Sequence, residues 1–384
     1  MIEKQSRAVV RLSASLGCEW RHIERADLET EKAKEALLAL LRREVGDKFE
    51  SEDTNLVVFG SMARGEWIDW VSDLDWTFLI DGQCKPLHFQ IAQDIRDTLK
   101  KERREKKNRE DADEKWEYRF AEPGPTGTFG NMGFSHHLIH LIGGQEDTNK
   151  NTTQRILLLL ESLAVGSETG AHQRVLTEIV HRYLDEETNL LTRDGSRFKV
   201  PRFLLNDIVR FWRTMAVDFA SKQRDRRGQG WALRNAKLRM SRKLIFAAGL
   251  LTCFSCQLDE ELKAKISTDK SDIKGARSLN LVDLQEHIIR RLTATPIDVV
   301  AQATIEYKIE KAVAKDLFDA YDDFLGMMSD VDKRSRLKEL KPEQSRDDET
   351  FKEVQDFSER FSRALKKIFF GSQLNDLTQE YGTF

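Results

Sequence analysis

The chain is poor in the residues that mark secreted, fibrous or membrane proteins. Only 6 of its 384 residues are proline and 4 are cysteine. So few prolines leave room for long uninterrupted helices. Four cysteines, at positions 18, 84, 253 and 256, are too few to staple a chain of this length. Cys253 and Cys256 have the CxxC spacing, but no second pair follows and an apolar run precedes them. Buried thiols are expected there rather than a metal or redox site. No apolar run approaches the ~20 residues that span a bilayer, and Met1-Ile2-Glu3-Lys4 opens no signal-peptide core. A soluble, cytoplasmic protein with no membrane association is expected. Strong charge of one sign is also missing: 62 basic against 65 acidic side chains leave a net charge of −3. This argues against a global nucleic-acid footprint and leaves only local basic patches.

Two kinds of pattern are present. Residues 55–59 form a Val-rich apolar run ending at Gly60, which predicts a buried strand. Residues 73–80 predict a second strand, and Asp81-Gly82 is its turn signal. Residues 27–47 and 87–107 predict helices, the latter running into a charged segment at 100–107. That segment is expected to be a solvated helix end, with a phosphate-tracking patch as the alternative. Residues 116–120 suggest a third strand, and 137–142 a strand or short helix. Beyond residue 145 the pattern turns helical: 151–165, 170–187, 201–222, 231–254, 281–293, 309–330 and 348–370. Residues 329–350 are charged with few apolar anchors and predict a flexible connection. The expected class is α+β, with a mixed-sheet domain over 1–145, a helical domain over 146–330 and a charged linker with a last helix over 331–384.

The chemistry concentrates in Phe59-Gly60-Ser61-Met62-Ala63-Arg64-Gly65 and Ser72-Asp73-Leu74-Asp75-Trp76. Carboxylates at i and i+2 of a strand share one face. Asp73 and Asp75 meet that condition, and hard divalent cations such as Mg²⁺ or Mn²⁺ prefer such oxygen donors. A Gly-Ser turn opening a helix lets backbone amides approach phosphates. Ser61 and Ser72 offer hydroxyls. Arg64 is placed to reach a phosphate or to brace the turn, and Gly65 to release the chain from the short helix. Two metal ions bound this way serve phosphorus chemistry on a triphosphate.

These residues resemble the signature of the DNA polymerase β-like nucleotidyltransferase superfamily, carried by Gly60-Ser61, Arg64-Gly65 and Ser72-Asp73-Leu74-Asp75. Within it the chain resembles bacterial proteins in which such a domain precedes a helical region, as in the adenylylating and uridylylating enzymes of nitrogen regulation. The resemblance covers residues 55–81. It implies a mixed sheet flanked by helices, Mg²⁺ dependence, and a nucleoside triphosphate donor, with ATP the expected one. It also implies that Asp73 and Asp75 ligate metal while Gly60 and Ser61 hold the triphosphate. The superfamily usually adds a third carboxylate from a later strand. Glu117 has the most strand-like neighbours for that role, and Glu146 and Asp147 are the other candidates.

The helical region offers further cations. Lys237, Arg242 and Lys243 are candidates to clamp the triphosphate, with solvated helix faces as the alternative. His136, His137 and His140 cluster, but a zinc site lacks a nameable third ligand. The expected activity is transfer of an NMP from an NTP to a hydroxyl on a protein or RNA acceptor. The alternatives are a nucleotide second-messenger synthase, a small-molecule acceptor, and a degenerate nucleotide-binding regulator.

Overall fold

The computed structural model describes residues 7–105, 116–123, 129–167, 170–187, 189–225, 228–266 and 273–382. The chain opens with α1 (Ala8–Leu16), α2 (Arg21–Glu44), β1 (Thr54–Phe59), α3 (Ser61–Arg64), β2 (Trp76–Ile80) and α4 (Pro86–Leu99). There follow β3 (Arg103–Glu105), β4 (Trp116–Tyr118), β5 (Asn131–Phe134), α5 (Ser135–Ile139), α6 (Asn149–Leu160), β6 (Ser162–Val165) and α7 (Ala171–Asp185). The remainder is helical: α8 (Arg202–Asp225), α9 (Trp231–Lys237), a π-helical turn (Leu238–Arg242), α10 (Lys243–Leu258), α11 (Glu260–Ala264) and α12 (Ile273–Leu292). It closes with α13 (Pro296–Glu306), α14 (Lys311–Ser329), α15 (Val331–Glu339), α16 (Glu349–Phe370) and α17 (Asn375–Gly382). Among the described residues no helix is long and apolar enough to cross a membrane.

The chain divides into two compact units, Arg25–Arg182 and Met1–Glu24 with Tyr183–Phe384. The first holds a four-stranded sheet of order β5-β2-β1-β6. β1 is antiparallel to β2 and β6, whereas β5 runs parallel to β2. The sheet is therefore mixed, as the sequence implied. All six residues of β1 are buried, as a central strand covered on both faces requires. Leu56 and Val58 of β1 point with Trp76, Phe78 and Ile80 of β2 into a core closed by Ala33, Leu37, Leu40 and Leu41 of α2 and by Ile91, Ile95 and Leu99 of α4. Those helix positions recur at three- and four-residue spacing, so each helix gives the sheet one apolar stripe.

The boundary expected at residue 145 lies later. Residues 151–165, read as one helix, break at Glu161, and β6 then pairs Ser162 with Phe59 and Val165 with Leu56. The segment Ser162-Leu163-Ala164-Val165 continues the apolar character of the end of α6 and is compatible with either conformation. Pairing along β1 decides the strand, because an unpaired edge of a buried strand leaves its amides unsatisfied. The 87–107 helix also ends early, at Leu99, and Arg103–Glu105 pairs with β4 instead. Residues 106–107 and the loop core at 124–128 lie outside the described residues. The 137–142 segment is helical, within α5 and the turn that follows.

The helical unit takes in the N-terminus, which was expected to join the sheet domain. Arg7 Nε pairs with Asp298 Oδ2 at 2.7 Å, and the Val9 N–H donates to Asp298 Oδ1 at 3.0 Å. Trp20 Nε1 donates to Asp319 at 2.9 Å. α10 is apolar and almost wholly buried, as a central helix must be. Cys253 and Cys256 lie in it, and burial pushes both thiols up, Cys256 to about 12. They are inert core thiols. The connection expected to be flexible at 329–350 contains α15, capped by Asp330 accepting from the Lys333 N–H, with Leu337 and Leu340 buried. Two apolar anchors and a cap suffice to hold a helix whose remaining residues are charged.

Candidate active site

β1 delivers the chain to Gly60, whose φ of 70° and ψ of −141° suit glycine alone. A second constraint acts at the same position. A Cβ there would meet Asp75 Oδ2 at 3.1 Å. The absence of a side chain at Gly60 thus leaves room for the Asp75 carboxylate beside the turn. The Phe59 N–H donates to the Asp75 carbonyl at 2.8 Å, which extends the β1–β2 ladder past Trp76. On the other side the Leu74 N–H donates to the Ala121 carbonyl at 2.9 Å. The strand expected over 73–80 thus begins only at Trp76, and Asp73-Leu74-Asp75 leads into it, tied by these two hydrogen bonds because only Asp75 still reaches a partner on β1. Leu74 is buried in the core, Asp75 is half-buried and Asp73 is exposed.

Ser61 opens α3, a single turn of four residues closed by Gly65 at φ 74°. Its first N–H groups have no intrahelical acceptor, as at any helix start. Arg64 braces this turn. It is buried, its Nε pairs with Glu66 Oε2 at 2.8 Å, and its other arm pairs with buried Glu161 just before β6. Its guanidinium is committed to these carboxylates within the fold. Ser72 Oγ accepts from the Ile68 N–H at 3.0 Å and closes the loop between the two motifs. Trp70 in that loop has φ 61°, unusual for a bulky side chain, and the Arg104 guanidinium lies 4.4 Å from its ring centre.

The third carboxylate is not assembled among the described residues, where no group of three His, Cys, Asp or Glu is placed to hold a metal. Asp147 is committed to buried Arg155, with Oδ2 to Nη2 at 2.7 Å. Glu146 is exposed in a turn. Glu117 sits in the two-stranded β3–β4 ribbon opposite Arg104, and its side chain lies outside the described residues. On β5, the strand parallel to β2, the residue beside Thr77 is Asn131. Mg²⁺ is commonly held by one or two carboxylates together with substrate phosphates. Of the expected pair, the Asp75 carboxylate lies beside the Gly60 turn, and Asp73 is exposed two residues before it.

The face of the sheet away from the α2–α4 core carries a cavity of about 260 Å³. Alternation along β2 puts Thr77 and Leu79 on the Asp75 side, and both line it with Val57, Phe59, Asn131 and Gly133. α5 and α6 roof it through His137, Leu138, Lys150, Asn151, Gln154 and Leu158. The Phe59 and Phe129 rings meet in its wall at 4.9 Å. Gly133 is small by necessity, since a Cβ would come within 2.6 Å of Thr77 Cγ2. Of these residues only the strand positions were accessible from sequence, by continuing the i+2 count from Asp75. The histidines meet in pairs, His136 to His140 at 5.2 Å between ring centres, with no metal cluster among the described residues.

Lys237, Arg242 and Lys243 belong to the other unit: Lys237 ends α9, Arg242 ends the π-helical turn and Lys243 opens α10. Lys243 Nζ donates to Ser362 Oγ at 2.7 Å.

Residues 38–124 match the family model of the nucleotidyltransferase domain. The chain therefore carries a nucleotidyltransferase domain, consistent with the DNA polymerase β-like superfamily. A domain of this description supports nucleotidyl transfer in general. No curated protein matches the chain.

Proposed function

We propose that the protein is a Mg²⁺-dependent nucleotidyltransferase that moves an NMP group from an NTP, ATP being the expected donor, to a hydroxyl on a protein or RNA acceptor. The observation that carries this reading is the Asp75 carboxylate lying beside the Gly60 turn, which sets a carboxylate next to a phosphate-approach turn. The acceptor oxygen attacks the α-phosphorus, the bond from that phosphorus to the α–β bridging oxygen breaks, and pyrophosphate leaves. The hydroxyl proton passes to a base, for which Glu117 remains the candidate. Gly60 and Ser61 receive the terminal phosphates with backbone amides and a hydroxyl. Asp73 and Asp75 would hold the metal, which supplies charge neutralisation at the phosphates when bound. Arg64, fixed by Glu66 and Glu161, keeps the turn in register with the sheet.

The cavity lined by Thr77 and Leu79 favours a second reading, transfer to the hydroxyl of a small molecule such as another nucleotide. Its size and its mix of aromatic and amide side chains suit a small planar acceptor. Incubation with each α-labelled NTP and Mg²⁺ tests both. Label on protein or RNA supports the first, and label on a small product supports the second. Pyrophosphate release from none of the four NTPs sinks the enzyme reading altogether.

A further inference from the structure

The helical unit holds a second cavity, of about 350 Å³, between α16 and the segment from the π-helical turn into α10. Four cations surround it: Arg239, Lys243, Arg363 and Lys366. The only acidic side chain in its lining is Glu359. Elsewhere on α16 several charges are paired. Arg360 pairs with Asp356 and Asp323, and Lys352 with Glu349. Around the cavity the pattern reverses. Arg239 and Lys243 meet only hydroxyls, Ser358 Oγ at 3.3 Å and Ser362 Oγ at 2.7 Å. Among the described residues, none of the four cations has a carboxylate within ion-pair distance.

Such an arrangement is costly in the free protein. Like charges repel across a small hollow, and Lys243 is half-buried as well. Burial, then the charges of Arg239 and Lys366, pull the Lys243 ammonium below the ordinary lysine value. The backbone is also unusual here. The π-helical turn Leu238–Arg242 interrupts an otherwise α-helical path where Arg239 and Lys243 project. Turns of this kind are rare and concentrate at functional sites.

We propose that this cavity is a binding site for a compact, multiply charged phosphate group. Four cations converge as donors, which matches several phosphate oxygens close together. Ser358 and Ser362, whose hydroxyls donate to the Gln355 and Ser358 carbonyls, orient Arg239 and Lys243 by accepting from them. No aromatic side chain lines the cavity, so charge rather than ring stacking selects the ligand. A single hollow between two helices, rather than a basic stripe along one, suits a small polyphosphate moiety better than a nucleic-acid backbone. The source is either the tail of a nucleoside triphosphate or a separate phosphorylated small molecule. The site does not depend on nucleotidyl transfer.

Tripolyphosphate titrated calorimetrically into the full chain, at low salt and with EDTA present, tests the site without turnover. Wild-type protein should bind it. Arg363→Gln/Lys366→Gln changes two exposed side chains and should weaken binding at least about tenfold per charge removed. Lys352→Gln, on the same helix but away from the cavity, should leave binding unchanged. Competition by ATP under these conditions supports the triphosphate tail as the ligand, and tripolyphosphate binding undiminished on ATP-saturated protein supports a separate phosphorylated molecule. Equal affinity in wild type and the double variant, or an equal loss in Lys352→Gln, would overturn the proposal. A negative label-transfer assay would leave this result standing.

Discussion

The two faces of the four-stranded sheet are built from the same strands and do opposite things. One side of β2 carries Trp76, Phe78 and Ile80, each at most 1 % exposed, against α2 and α4. The other side carries half-buried Thr77 and buried Leu79, which line a cavity, and follows on from Asp75 beside the turn at Gly60. A strand alternates its side chains, so the stretch from Asp75 to Ile80 supplies both a dry core and a face that opens on a cavity. The core face anchors the strand against displacement. The strand then presents Asp75 beside the Gly60 turn.

The largest effect that separates the faces is expected at Asp75. Asp75→Asn keeps the shape and removes the charge. Transfer should fall about 10⁴-fold or more, the scale seen when one member of a catalytic unit is removed, while the urea midpoint stays within error of wild type. That loss corresponds to about 5.5 kcal/mol at 1.36 kcal/mol per tenfold. An active Asp75→Asn protein would mean that this face is not where nucleotidyl transfer occurs.

Phe78 is the counterpart on the core face. Phe78→Ala leaves a cavity among Leu37, Ile91 and Ile95 and should cost about 3–5 kcal/mol of stability, read as a drop in urea midpoint. Protein that remains folded should retain most of its specific activity. Loss of activity without loss of stability would contradict the division of labour between the faces.

How much of this was legible in the sequence follows the range of the interactions. The strand–turn–strand order and the need for glycine at positions 60 and 65 are local, and each follows from a few adjacent residues. The Arg64–Glu161 pair joins residues 97 apart, so Arg64 remained open between phosphate and brace. β6 was hidden for a related reason. Its apolar run is helix-compatible, and only pairing with β1 decides its conformation. Asn131 took its place beside Thr77 through parallel pairing of β5, which no local pattern announces. The Asp147–Arg155 pair likewise withdrew one candidate for the third carboxylate.

The next effect depends on pH and lies on the cavity-bearing face, at the β6 edge. Ser162 pairs with Phe59 and shares its face, and its hydroxyl meets His172 Nε2 at 2.7 Å. Burial pushes the His172 imidazole down to about 4, against about 6.5 in the unfolded chain. The folded state therefore binds this proton less readily than the unfolded state. The associated stability is complete above pH 6.5 and is lost as pH falls from there towards 4, about 3 kcal/mol in all. His172→Gln removes the titration. Between pH 7 and 4, wild-type protein should lose about 3 kcal/mol more than the variant. His287, pushed down to about 3 by burial, is common to both proteins and cancels in the difference. Parallel pH curves would show that His172 is not buried as neutral imidazole.

The smallest stability effect is expected at Thr77, and it makes the sharpest test because Thr77 and Phe78 are adjacent. Thr77 points to the cavity side and touches the space that Gly133 leaves open. Thr77→Ala removes a methyl and a hydroxyl from a half-buried strand position, where β-propensity differences span about 1 kcal/mol. The urea midpoint should fall by no more than that, several-fold less than for Phe78→Ala. If a small acceptor occupies the cavity, its KM should rise a few-fold at nearly constant kcat, because Thr77 contacts the bound molecule and not the reacting phosphorus. A macromolecular acceptor held elsewhere would leave KM unmoved. Destabilisation as large as that of Phe78→Ala would place Thr77 in the structural core and remove the basis for treating the two faces as different.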